Sequence, residues 1–144
     1  MAAHSQDPLV AATVRFEQRL NAGSQGQEQA WAQRLREAVR ELEVALGRHP
    51  APSEKSVLAP AGPPQREISP GLTRQVQHLG HDHQVLLDQV DVLRARLQRD
   101  TFSPDDLAAI RQLGADLLTK LRDYSAAENA VILETVMGEP GTGD

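Results

Sequence analysis

The sequence predicts an all-α fold, an up-down-up-down four-helix bundle formed by a single domain over residues 1–144. Apolar residues recur three and four positions apart along four stretches, which is typical of helices that bury one face. Asp7-Pro8, Ser69-Pro70 and Ser103-Pro104 each place a capping side chain before a proline, which favours a helix start. No strand pattern competes with these helices, so the bundle is the expected architecture.

The first two helices are expected at about residues 8–22 and 27–48. Ser24 precedes the second helix with the spacing of a capping box. Gly23 and Gly47 are expected helix ends, since glycine readily adopts the left-handed conformation found there. The expected core faces are Leu9, Thr13, Phe16 and Leu20 in the first helix, and Trp31, Leu35, Val39, Leu42 and Leu46 in the second.

The third and fourth helices are expected at about residues 70–99 and 104–137, with Gly138 as the last stop. A proline-rich loop at about 49–69 and a flexible tail at 138–144 flank the third and fourth helices. The apolar stripe of the third helix comprises Leu72, Val76, Leu79, Leu86, Val90, Leu93 and Leu97. That of the fourth comprises Leu107, Ile110, Gly114, Leu117, Leu121, Val131 and Thr135, widened by Leu113, Leu118 and Ile132.

Composition excludes several classes of protein. The chain has no cysteine, which excludes disulfides, thiolate metal sites and thiol catalysis. Its net charge of −5 and 3% aromatic content argue against nucleic acid as a partner. No apolar run approaches the roughly 20 residues that span a membrane, and no signal peptide is visible. We therefore expect a cytoplasmic protein that binds neither nucleic acid nor membrane.

Polar side chains interrupt the apolar stripes at four places. His83 lies on the stripe of the third helix, Tyr124 and Glu128 lie on that of the fourth, and His49 would extend the stripe of the second. Counted from the predicted turns, the four positions differ in height by roughly 10 Å. We therefore expect His49, His83, Tyr124 and Glu128 to point toward one region. Imidazole and carboxylate oxygen suit iron, zinc or manganese.

Three segments resemble the hemerythrin-like (HHE cation-binding) domain family. His81-Asp82-His83-Gln84-Val85-Leu86-Leu87 resembles the acid-His-x-x-Leu-Leu signature of its third helix. The segment 121–134 is similar to the last helix, where a His and a carboxylate stand one turn apart. Leu46-Gly47-Arg48-His49, followed by Glu54 and Val57-Leu58-Ala59-Pro60, resembles the second. The resemblance implies a four-helix bundle with a carboxylate-bridged di-iron centre, used for oxygen binding, sensing or iron handling.

The sequence departs from that family pattern in its ligands. Tyr124 stands where the last helix of the family carries a His, and the first helix offers no His because His4 precedes its cap. Pro50 and Pro52 separate His49 from Glu54. These departures predict an eroded site with too few ligands for two irons.

Two functions follow. One is a hemerythrin-like protein whose His49, His83, Tyr124 and Glu128 bind a single iron or other divalent metal ion for redox sensing or iron handling. The alternative is a metal-free interaction or regulatory module without a cofactor, in which His83 is a core histidine, Tyr124 fills the bundle and His49 ends a helix. We expect no enzymatic activity. The expected partner is a second copy of the chain or an unidentified protein.

Overall fold

A computed structural model describes residues 7–49 and 69–137, and these residues are all-α. Four helices lie within them, α1 (Pro8–Asn21), α2 (Glu28–Arg48), α3 (Pro70–Arg96) and α4 (Pro104–Met137), and the described part contains no strand. α1 ends one residue earlier than predicted, α2 begins one residue later, and α3 ends three residues earlier. The predicted proline-rich loop lies outside the described residues except for its ends, as does the whole tail.

The three predicted Xaa-Pro helix starts are confirmed. Asp7 Oδ1 accepts a hydrogen bond from the Leu9 N–H at 2.8 Å, and Ser69 Oγ accepts one from the Leu72 N–H at 3.1 Å. Ser103 and Asp106 cap α4 reciprocally, each side chain accepting from the other backbone N–H at 3.0 and 2.9 Å. The Ser103 backbone bond lowers the pKa of Asp106, which keeps this cap charged.

The turn between α1 and α2 differs from the prediction. Gln27, not Ser24, occupies the N-cap of α2, and its side chain makes no capping bond. Gly26 takes the left-handed conformation with φ 78°, the only such glycine in the described residues. Neither Gly23 nor Gly47 does so, although α2 ends at Arg48 as predicted. The chain reverses at Gly26, where a side chain would be strained.

The described residues fall into two compact units. The first comprises residues 7–49 and 86–121, and the second comprises 69–85 and 122–137. The core of the first unit contains the predicted stripes of α1 and α2 apart from Thr13, which is half-buried and donates to the Leu9 carbonyl. Its core side chains include Phe16, Leu20, Trp31, Leu35, Leu42, Leu46, Leu86, Val90, Leu93, Leu97, Ile110, Leu117, Leu118 and Leu121.

Contacts inside the first unit fix the direction of its helices. Asp7 at the start of α1 lies near His49 at the end of α2, while Arg15 pairs with Glu41 between them. The α1–α2 pair is therefore antiparallel. At the start of α2, Gln29 donates to the Asp100 carbonyl, whereas Glu43, toward the end of α2, pairs with Arg94 at 3.1 Å. α2 therefore also runs opposite to the last turns of α3.

The second unit departs from the predicted stripes at two positions of α4, and one is Thr135, which is half-buried and donates to the Val131 carbonyl at 2.8 Å. Leu72, Val76, Leu79, Tyr124 and Val131 are buried as predicted. Ile132, expected to widen the stripe of α4, is instead 51% exposed, and its neighbour Leu133 is 56% exposed. These residues lie off the buried face because consecutive helical residues point about 100° apart. No described helix is both long and apolar enough to cross a membrane.

Candidate functional site

Three of the four predicted site residues lie in the second unit. His83 is on α3, and Tyr124 and Glu128 are one turn apart on α4. The rings of His83 and Tyr124 are tilted by 50° with their centroids 6.0 Å apart. This contact agrees with the expectation that the two side chains point to one region. Their placement follows from the 3-4 spacing, which puts positions 83 and 124 on the apolar stripes.

Tyr124 is the most deeply buried polar side chain of this group. The residue is 1% exposed, and its hydroxyl oxygen is inaccessible to solvent. Burial raises the pKa of Tyr124 well above its usual value of 10, and the nearby carboxylates of Glu128 and Asp82 raise it further. All three effects disfavour the phenolate. The side chain is therefore a neutral phenol at any physiological pH.

The histidines of α3 differ in exposure. His83 is half-buried against Tyr124, whereas His78 and His81 are exposed, as their positions off the stripe predict. Glu128 is also half-buried. The second unit therefore carries one imidazole, His83, on α3 and a phenol and a carboxylate, Tyr124 and Glu128, on the facing part of α4.

His49, the fourth predicted residue, belongs to the first unit. It is the C-cap of α2, where its backbone N–H donates to the Leu46 carbonyl at 3.2 Å. Its Nδ1 lies 4.0 Å from Oδ1 of Asp7, the N-cap of α1. The imidazole of His49 beside that carboxylate joins the end of α2 to the start of α1. A helix C-terminus also favours a cation, so this position suits a structural histidine.

The donor side chains within the described residues do not fit a di-iron centre. In residues 7–49 and 69–137, no group of three or more His, Asp or Glu side chains is arranged to hold a metal ion. At the position where the family carries a His on the last helix stands Tyr124, a buried phenol that would have to lose its proton to act as a ligand. The assignment of His49, His83, Tyr124 and Glu128 as ligands of a single metal stays a prediction.

Sequence reasoning missed the role of Arg111. Its guanidinium donates to the carbonyls of Leu20 at 2.7 Å and Ala22 at 3.3 Å, and to Ser24 Oγ at 2.9 Å. It also lies 4.6 Å from the centre of the Trp31 ring. Arg111 thereby joins α4 to the turn between α1 and α2. The carbonyls at a helix end accept such bonds because they lack intrahelical partners.

Arg36 performs a similar task at the end of α3. It donates to the carbonyl of Leu97 at 2.8 Å and to that of Arg99 at 3.1 Å. Nothing in the sequence distinguishes Arg36 or Arg111 from a solvated surface arginine, because the carbonyls that they bind carry no residue-specific signal.

Comparison with known proteins gives no relative for this chain: no protein family, no curated protein and no solved structure matches it.

Proposed function

We propose that the chain is a hemerythrin-like, up-down-up-down four-helix bundle that acts as a metal-free interaction module. The antiparallel contacts of α1 with α2, and of α2 with the end of α3, support the topology. The joining of the end of α1 to the first turns of α4 through Arg111 supports it as well. The three motif resemblances around His49, His83 and Tyr124 support the family.

The state of Tyr124 carries the proposal that the module is metal-free. The family resemblance puts this residue at a ligand position of the last helix, yet its side chain is a buried phenol. A neutral phenol is a poor metal ligand, but it fills an aliphatic interior well and contributes a large apolar surface. Tyr124 therefore acts as a packing residue, and His83 acts as its ring partner at 6.0 Å.

A single metal ion bound near His83 is the second candidate function. The observation in its favour is the negative field of Glu128 and Asp82, which disfavours a phenolate and would equally favour a cation. Iron or zinc would take the His83 imidazole and the Glu128 carboxylate as ligands, since both metals accept nitrogen and oxygen donors. The bound ion would supply redox chemistry or structural cross-linking.

Thermal unfolding of wild type and of His83→Leu, with and without Fe(II) or Zn(II), separates the two candidates. We expect the wild-type Tm to be the same with metal and with chelator. His83→Leu should change stability by less than about 2 kcal/mol, because removing a half-buried polar ring and stranding its neighbours have opposing effects. His78→Leu is the matched control, since His78 is an exposed histidine of the same helix.

A metal-dependent rise of the wild-type Tm would refute the metal-free module. If His83→Leu abolishes that rise and His78→Leu retains it, the single-metal function is correct. A saturated site would stabilise the protein by about 2.7 kcal/mol at a hundredfold excess of metal over its Kd, an effect that melting detects easily. Metal analysis that gives two irons per chain would instead restore the di-iron function.

A further inference from the structure

An apolar groove lies on the surface of the first unit between α1 and α2. It has a volume of about 420 Å³, within the range of ligand-binding clefts. Its walls are formed by Pro8, Ala11, Ala12 and Arg15 of α1, and by Arg40, Glu41, Val44, Ala45 and Arg48 of α2. We call it the α1–α2 groove.

Small side chains form the floor of the α1–α2 groove. Ala12 and Ala45 are only 4% and 6% exposed, and their methyl groups leave room above them that larger residues would fill. Val44 projects at the edge and is 47% exposed. Helices approach each other according to the size of the side chains at their contact. An alanine floor flanked by a valine therefore suits the apolar ridge of another helix.

The rim of the groove is positively charged although the chain as a whole is negative. Three arginines, Arg15, Arg40 and Arg48, stand against one carboxylate, Glu41. Glu41 is already paired with Arg15 at 2.6 Å. Within residues 7–49 and 69–137, Arg40 and Arg48 have no ion-pair partner, which leaves two unmatched cations beside an apolar floor. The net charge of −5 makes this local excess distinctive.

We propose that the α1–α2 groove binds an amphipathic helix of a partner protein, with apolar residues at i and i+4 and with acidic residues on its flanks. The inference rests on the proposed interaction function and names its partner class. Apolar residues at that spacing form the stripe that helix-in-groove recognition uses. The carboxylates on either side of the stripe meet Arg40 and Arg48.

The size of the groove sets the strength of the interaction. Its α1 wall runs from Pro8 to Arg15, about 10 Å of helix, or two turns. A contact of two helical turns is small, and interfaces that bury less than about 1,200 Å² are typical of transient complexes. The complex is therefore transient, with a micromolar or weaker Kd. Opposite charges at its rim steer the partner and make binding sensitive to salt.

Fluorescence anisotropy with two synthetic peptides tests the proposal. One labelled amphipathic helix carries leucines on one face and glutamates on its flanks, and the other replaces every glutamate with lysine. We expect wild-type protein to bind the glutamate peptide at least about tenfold more tightly than the lysine peptide. Arg40→Gln should reduce this preference several-fold, whereas Arg34→Gln, at an exposed arginine of α2 outside the groove, should not.

Val44→Glu and Val92→Glu form a matched pair for the apolar contact. The two valines are 47% and 48% exposed, and Val92 lies on α3 outside the groove. Val44→Glu should weaken binding of the glutamate peptide about tenfold, and Val92→Glu should change it by less than about twofold. Circular dichroism verifies that both variants are folded before titration.

Three results would overturn the proposal: no binding of the glutamate peptide, equal binding of both peptides, or equal losses in Val44→Glu and Val92→Glu. Sedimentation that shows a dimer abolished by Val44→Glu would assign the groove to a second copy of the chain instead. The titrations are run in EDTA, and metal uptake is measured separately. Metal uptake would refute the proposal that the module is metal-free, and it would leave the peptide result unchanged. If the glutamate peptide does not bind and no metal is taken up, only the proposal for the α1–α2 groove is refuted.

Discussion

The two units of the molecule place their polar groups differently. In the first unit, charged side chains remain at the edges of an aliphatic core, where Arg111 and Arg36 bind carbonyls at helix ends. In the second unit, a phenol and an imidazole interrupt the apolar stripes themselves. Polar groups at helix ends stabilise through hydrogen bonds, whereas a buried phenol couples stability to pH. The two units should therefore respond to different perturbations.

The largest effect is expected from Arg111→Met in the first unit. The substitution keeps much of the aliphatic length but removes three hydrogen bonds and the cation over Trp31. We expect a loss of about 2–3 kcal/mol of unfolding free energy, since charged hydrogen bonds and a cation–π contact are both lost. Urea unfolding followed by Trp31 fluorescence measures it, because Trp31 is the only tryptophan.

Arg34→Met is the control for this prediction. Arg34 is an exposed arginine of α2, and its replacement should change the free energy of unfolding by less than about 0.5 kcal/mol. Equal effects of the two substitutions would mean that the bonds at the α1–α2 turn do not contribute to stability.

The buried phenol of the second unit should make the stability of the protein depend on pH in the alkaline range. The pKa of Tyr124 is higher in the folded state than the unfolded value near 10. Its contribution to the free energy of unfolding is therefore fully present below pH 10. Above pH 10 the unfolded chain loses the proton first, so stability falls by up to about 1.4 kcal/mol per pH unit. Tyr124 is the only tyrosine, so tyrosinate absorbance reports on it alone.

Tyr124→Phe provides the comparison for the alkaline titration. The variant should lose stability less steeply above pH 10 than the wild type, and the difference between the two curves isolates the phenol. Tyrosinate absorbance that rises near pH 10 in the folded wild type would show that Tyr124 is solvated, which would remove the main support for the packing role.

The smallest effect is expected from Gly114→Ala in the first unit. A Cβ built on Gly114 meets both Cδ atoms of Leu20 at 2.7 Å, and Leu20 is 3% exposed. Overpacking costs about 1–3 kcal/mol, whereas alanine in place of glycine stabilises a helix by up to about 1 kcal/mol. We therefore expect the free energy of unfolding to fall by about 1 kcal/mol. Gly47→Ala, where a Cβ meets nothing within 4 Å, should instead stabilise by up to about 1 kcal/mol. A loss in both variants would contradict the role of the Leu20 contact.

Helix positions, caps and most core residues could be predicted from the sequence because they depend on local spacing. The Xaa-Pro caps and the stripes of α2 and α3 are examples. The contact between His83 and Tyr124 could also be predicted from the sequence, because both positions continue apolar stripes. Whether these residues bind metal stays a prediction, because spacing fixes which face a side chain is on but not which donors converge.

Features that depend on pairing between distant segments could not be predicted. The bonds of Arg111 join residues about 90 positions apart, and long side chains can reach many partners. The α1–α2 groove depends on which alanines of two helices face each other. Ser24 has the spacing of a cap, but its hydroxyl accepts a bond from Arg111 instead. In each case a tertiary contact decided between local alternatives.

The close approach of Leu20 to Gly114 also constrains how this sequence can diverge. The space beside the α4 backbone at position 114 is occupied by the two methyl groups of Leu20. A side chain at position 114 costs stability unless residue 20 becomes smaller, and a smaller residue 20 alone leaves a void. The two positions should therefore change together, so that descendants pair Leu with Gly, or a small residue at position 20 with alanine at position 114. Covariation at positions 20 and 114 would mark distant relatives of this chain after individual residues have changed.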